Sequence, residues 1–108
     1  MKLEQECGVT QISLKNAKKL VQRYGLPAFI HLFYDKKDWT CVQIVWTDHP
    51  AISHIFTGFS WGYGGEGPRG LKKLFDLLKI DIGMGQISQW DAEKTNLIIH
   101  KTQVIICS

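Results

Sequence analysis

The stretch "FSWGYGGEGPRGLKK", residues 59–73, holds five glycines, a proline and three cations. Glycines let an anionic group approach backbone N–H groups closely, and a helix starting just after them adds partial positive charge. Arg69, Lys72 and Lys73 fall in the first turns of that helix. Cations there oppose the helix dipole unless they meet something negative. Trp61 and Tyr63 share strand parity beside the glycines, and an aromatic face next to cations suits a stacked base. The candidate ligand-binding residues are therefore Trp61, Tyr63, Gly64, Gly65, Gly67, Arg69, Gly70, Lys72 and Lys73. A phosphorylated small molecule, and a nucleotide in particular, is the ligand they fit. A plainer reading stands beside this one. Glu66 satisfies the dipole and pairs with Arg69 or Lys72, while the glycines only supply a tight turn.

Two nucleotide motifs come close and fail. "GYGGEG" (62–67) satisfies G-x-G-x-x-G between a strand and a helix, the context a dinucleotide fingerprint requires. That fold needs several βα units, and only one strand-to-helix step is credible here. Asp81 comes too early to be the ribose-binding acid, and nothing ends a strand at Asp91. "GEGPRGLK" (65–72) approaches a P-loop, but Leu71 occupies the lysine position and no hydroxyl follows Lys72.

"GFSWGYGGEGPRGL", residues 58–71, resembles the G-F-x-W-G-Y-G-G-x-G-P stretch of a family of small bacterial and phage proteins. The resemblance is confined to these fourteen residues and brings no catalytic role with it. It implies a phage or mobile-element setting, where small binding proteins inhibit or sequester components of host defence. Sequestration of a signalling nucleotide is the leading expectation. The alternatives are a protein–protein inhibitor of a host enzyme or defence complex, and a small hydrolase.

Other candidate chemistry is thin. Of His31, His49, His54 and His100, only His49 and His54 are near neighbours, and their spacing suits neither a helical nor a strand face. Cys41 and His31 could meet across a hairpin, but without a local signature a cysteine in a β-rich run is a core thiol. Asp35, Asp38 and Asp48 sit in turns, where aspartate caps the backbone. No catalytic residue, metal site or cofactor is assigned, and a binding protein is expected rather than an enzyme. Trp39, Trp46, Trp90 and Tyr34 add aromatic surface, yet the strands carry few cations. That pattern argues against a nucleic-acid partner.

The elements that must carry the loop are legible. Ser13 reads as the N-cap of "LKNAKKLVQRY", with Gly25 and Pro27 ending it. Strands are expected over 28–34, 39–47 and 51–61. Gly67 and Pro68 then read as N-cap and first residue of an amphipathic helix bearing Leu71, Leu74, Phe75 and Leu78. "IDIGMGQISQW" reads as a turn or strand end, and "NLIIHKTQVIIC" as strands turning near Lys101 and Thr102. The fold expected is α+β, an antiparallel sheet of four to six strands with two amphipathic helices packed on it.

With 108 residues, one domain spanning 1–108 is expected. A net charge of +3 is a weak bias toward anionic partners. Cys7, Cys41 and Cys107 are odd in number and far apart, which suits a reducing, cytoplasmic setting. No stretch has the ~20 apolar residues of a membrane span. The apolar C-terminal strand leaves a homo-oligomer open.

Overall fold

The structure, a computed structural model, describes residues 9–37, 39–48, 51–100 and 103–106. Helix α1 (Val9–Tyr24) leads into strands β1 (Phe29–Asp35), β2 (Trp39–Asp48) and β3 (Ala51–Phe56). Helix α2 (Glu66–Leu77) and the single-turn α3 (Met84–Ile87) follow, and β4 (Leu97–His100) and β5 (Gln103–Ile106) close the chain. The five strands form one sheet in the order β3-β2-β1-β4-β5, every neighbouring pair antiparallel. This is the expected α+β class.

The register separates the sheet's two faces. Ile30 pairs with Ile44 and Ile99, and Leu32 with Val42 and Leu97, so these side chains share one face. They are buried in a single cluster with Ala17 of α1, with Leu71, Leu74 and Phe75 of α2, and with Ile87 of α3. The helices therefore lie on that face. Leu71, Leu74 and Phe75 are fully buried, and each contributes about 1.5–3 kcal/mol by leaving water. That outweighs the ~0.5–1 kcal/mol cost of each glycine within α2. The opposite face carries His31, Phe33, Gln43, Ile55, Ile98 and Ile105.

Three boundaries differ from the sequence expectation. Helix α1 already includes Val9, the first described residue, so Ser13 is an interior residue rather than the N-cap. Its side chain is completely buried and its hydroxyl has no hydrogen-bond partner among the described residues. Tertiary contact carries the helix backward: the Thr10 hydroxyl donates to the Gly58 carbonyl at 2.6 Å. Helix α2 starts at Glu66 with Gly65 as N-cap. Pro68 is then the third helical residue, where its missing N–H is still an orphan position, and Arg69 is the fourth. β3 ends at Phe56, leaving 57–65 as connecting chain. The expected bulge at Gly58 is not there. A register shift lies between Val45 and Thr47 instead, and Trp46 is buried with its indole N–H on the Gly25 carbonyl at 2.8 Å.

The end of α1 and the C-terminal hairpin follow the sequence closely. Gly25 takes φ +82 and donates to the Val21 carbonyl at 2.7 Å, closing α1. At the end of α2, Lys79 donates to the Asp76 carbonyl and Ile80 to the Phe75 carbonyl, at 3.2 and 2.8 Å. This is the Schellman pair of bonds. The expected C-terminal hairpin is present as β4 and β5, its connecting residues lying outside those described. No described helix is long and apolar enough to cross a membrane.

Candidate functional site

The glycine-rich segment crosses one end of the sheet and is held there by three anchors. Thr10 of α1 donates to Gly58, and Thr40 of β2 donates to the Phe59 carbonyl at 2.8 Å. The third anchor is Trp61. Its ring is fully buried, and its N–H reaches the Asp91 carbonyl at 3.2 Å. Gly62 then donates to the Ile87 carbonyl at 3.0 Å with φ +92. A Cβ added there would lie 2.7 Å from the Trp90 carbonyl oxygen. Gly62 is thus required by both its backbone angle and a close approach.

Past Gly62 the chain turns outward. Tyr63 is 54% exposed, and its hydroxyl is 3.0 Å from that of Ser60. Its ring lies over Gly65, and Gly67 lies beside the Ser60 and Tyr63 hydroxyls. Gly64 faces open space. Gly70 is packed against the Thr10 methyl group, where any side chain would collide. The glycines therefore divide by task. Gly62 and Gly70 dock the loop onto its neighbours, while Gly64, Gly65 and Gly67 surround Tyr63 and the start of α2.

Two clefts open beside this loop. The larger, of about 640 Å³, is lined by Trp39, Thr40, Ser60, Tyr63 and Glu66, among others. Its floor is the backbone fixed by Thr10 and Thr40, and its rim carries Trp39 and Tyr63. Trp39 is 70% exposed and takes φ +64, a left-handed conformation uncommon for a bulky residue. The second cleft, of about 520 Å³, is lined by Thr10, Gln11, Leu14, Glu66, Arg69, Gly70 and Lys73. The clefts share Thr10 and Glu66. An aromatic cleft and a cationic groove thus lie side by side across the first two turns of α2.

Of the expected residues, the structure brings Tyr63 and Gly67 to the first cleft, and Arg69, Gly70 and Lys73 to the second. Trp61 lines the first cleft but is buried core, so it offers no exposed ring for stacking. Lys72 lines neither cleft; its ammonium is held 2.6 Å from Asp76 one turn on. The plainer expectation for Glu66 holds in part: it lies in the first turn of α2, where its charge suits the helix dipole. Among the described residues neither Glu66 nor Arg69 is ion-paired. Trp39, Thr10, Thr40, Ser60 and Glu66 were not selected from sequence. The one signal for Trp39 was a large aromatic directly after the polar turn "DKKD".

His31 shares a 2.6 Å hydrogen bond with Asn96 and stacks on Phe33 at 4.8 Å. Cys41 is buried on the same sheet face, opposite Phe33 in register. His54 stacks on Phe56 at 4.5 Å, and His49, Cys7 and Cys107 lie outside the described residues. Among the described residues no three His, Cys, Asp or Glu side chains are grouped to hold a metal ion. No protein-family model, curated protein or solved structure matches the chain.

Proposed function

We propose that the protein is a non-catalytic binding protein that holds a phosphorylated nucleotide across the start of α2. The observation that carries this reading is the adjacency of the two clefts, one rimmed by exposed Trp39 and Tyr63 and the other by Arg69 and Lys73. A nucleotide has the same two-part chemistry. Its base stacks on aromatic faces, and its phosphate takes charge-assisted hydrogen bonds from a guanidinium and an ammonium. Tight binding without turnover is sequestration, and the motif's resemblance to bacterial and phage proteins suggests a role against host defence inside the cytoplasm.

The test is native mass spectrometry of the purified protein, followed by thermal shifts against linear and cyclic nucleotides. A co-purifying phosphorylated ligand that raises the melting temperature, and fails to do so in Arg69→Ala, is the expected result. Binding unaffected by Arg69→Ala removes the assigned site, and release of a chemically changed ligand replaces binding with catalysis. One observation favours a second reading, inhibition of a partner protein. An exposed tryptophan such as Trp39 is a common anchor of protein interfaces. Retention of a host enzyme by the wild-type protein but not by Trp39→Ala, without any nucleotide, would support it.

A further inference from the structure

We infer that the aromatic cleft selects guanine, and that Glu66 is the residue that reads it. The inference rests on the nucleotide reading above and adds the identity of the base. It follows from which polar groups in the cleft are still free to bind something. The hydroxyls of Thr10 and Thr40 donate to the Gly58 and Phe59 carbonyls, and those of Ser60 and Tyr63 bond to each other. Glu66 lines the cleft and has no ion pair or hydrogen bond among the described residues. The cleft therefore presents two exposed aromatic rings, one uncommitted carboxylate and the one hydroxyl donor that the Ser60–Tyr63 pair leaves over.

An ionised carboxylate is an acceptor only, with two oxygens side by side. Its complement is a pair of adjacent N–H donors on a flat ring. Among the common bases guanine has that pair, at N1 and the 2-amino group. Adenine sets an acceptor nitrogen beside its amino group, cytosine does the same, and uracil flanks its single N–H with two carbonyl oxygens. Each of those would turn a lone pair toward a carboxylate oxygen. The match is therefore decided by the sign of the second contact.

Charge also fixes which way the ligand lies. A phosphate placed in the aromatic cleft would meet the Glu66 carboxylate with no cation to offset it, whereas in the neighbouring groove Arg69 and Lys73 outweigh Glu66, which lines both. Residues 66, 69, 70 and 73 follow one face of α2. At ~1.5 Å rise per residue, Arg69 lies about 4.5 Å and Lys73 about 10.5 Å along the axis from Glu66. That span suits a mononucleotide with its base edge at Glu66 and its phosphate at the two cations. Glu66 thus attracts the donor edge of the base and repels the phosphate.

Isothermal titration of the full-length protein with GMP, IMP, AMP and inorganic phosphate tests this, alongside Glu66→Gln. Glu66 is exposed, and circular dichroism verifies that the variant is folded. GMP is expected to bind about tenfold or more tighter than AMP, with IMP weaker than GMP because it lacks the 2-amino group. Glu66→Gln should bring GMP and AMP close together, weakening GMP and strengthening AMP, because the amide donates to adenine's acceptor nitrogen and no longer repels the phosphate. Equal affinity for GMP and AMP, or a preference that survives in Glu66→Gln, overturns the inference and leaves nucleotide binding standing. If neither GMP, IMP nor AMP binds, this inference and the nucleotide reading both fall.

Discussion

Trp39 is where conformation and exposure disagree most with stability. A bulky residue at φ +64 with 70% of its surface in water carries backbone strain of about 1 kcal/mol and gains little from burial. Glycine there relieves the strain and removes the stacking surface. Trp39→Gly should therefore melt no lower than the wild type, gaining up to about 1 kcal/mol. Nucleotide binding should weaken about tenfold, in keeping with the worth of one stacked base. A fall in melting temperature together with unchanged binding would show that Trp39 serves packing instead. The cations separate in the same way. Arg69→Ala should abolish the ligand-induced thermal shift, whereas Lys72→Ala should leave it nearly intact, because Lys72 is committed to Asp76. The ion pair it would lose is an exposed i,i+4 contact worth only about 0.3–0.5 kcal/mol.

The start of α1 shows why sequence reading stopped short. Val9, Thr10 and Ile12 are β-branched residues with modest helix propensity, so Ser13 looked like the beginning. What extends the helix is long-range: Thr10 bonds Gly58 and its methyl group packs on Gly70. At the end of α2, Lys79 occupies the left-handed position at φ +61 that glycine usually takes. Lys79→Gly should stabilise the fold by about 1 kcal/mol, a rise of roughly 4–8 °C in Tm for a domain near this size. Gly62→Ala should do the opposite, lowering stability by about 2 kcal/mol or more, because strained φ and collision with the Trp90 carbonyl act together. Urea denaturation of the two variants measures both effects.

The β-rich runs at 28–34 and 39–47 and the helical spacing of Leu71, Leu74, Phe75 and Leu78 made the architecture readable. The candidate site was only half readable, since Tyr63, Arg69 and Lys73 belong to one local segment. Trp39 and Thr10 reach it from a distant hairpin and from α1. Trp61 misled because parity beside a strand says nothing of direction once the strand has ended at Phe56. One cluster joins the helices to the sheet, so ligand held at the loop should protect the entire chain. At a hundredfold excess over Kd the stabilisation is about 2.7 kcal/mol. Far-ultraviolet circular dichroism and near-ultraviolet signals should shift upward together; a shift in one signal alone would mean that the loop melts independently.

The unequal placement of the tryptophans also gives the protein a built-in optical probe. Trp46 and Trp61 are buried and hydrogen-bonded through their indoles, and Trp90 is half-buried, while Trp39 stands in solvent at the cleft rim. Its emission should be the reddest of these and the first to be quenched by iodide, an anion drawn toward the neighbouring Lys36 and Lys37. A base stacked on that ring would shield it, so the quenchable fraction reads out how full the cleft is without any label.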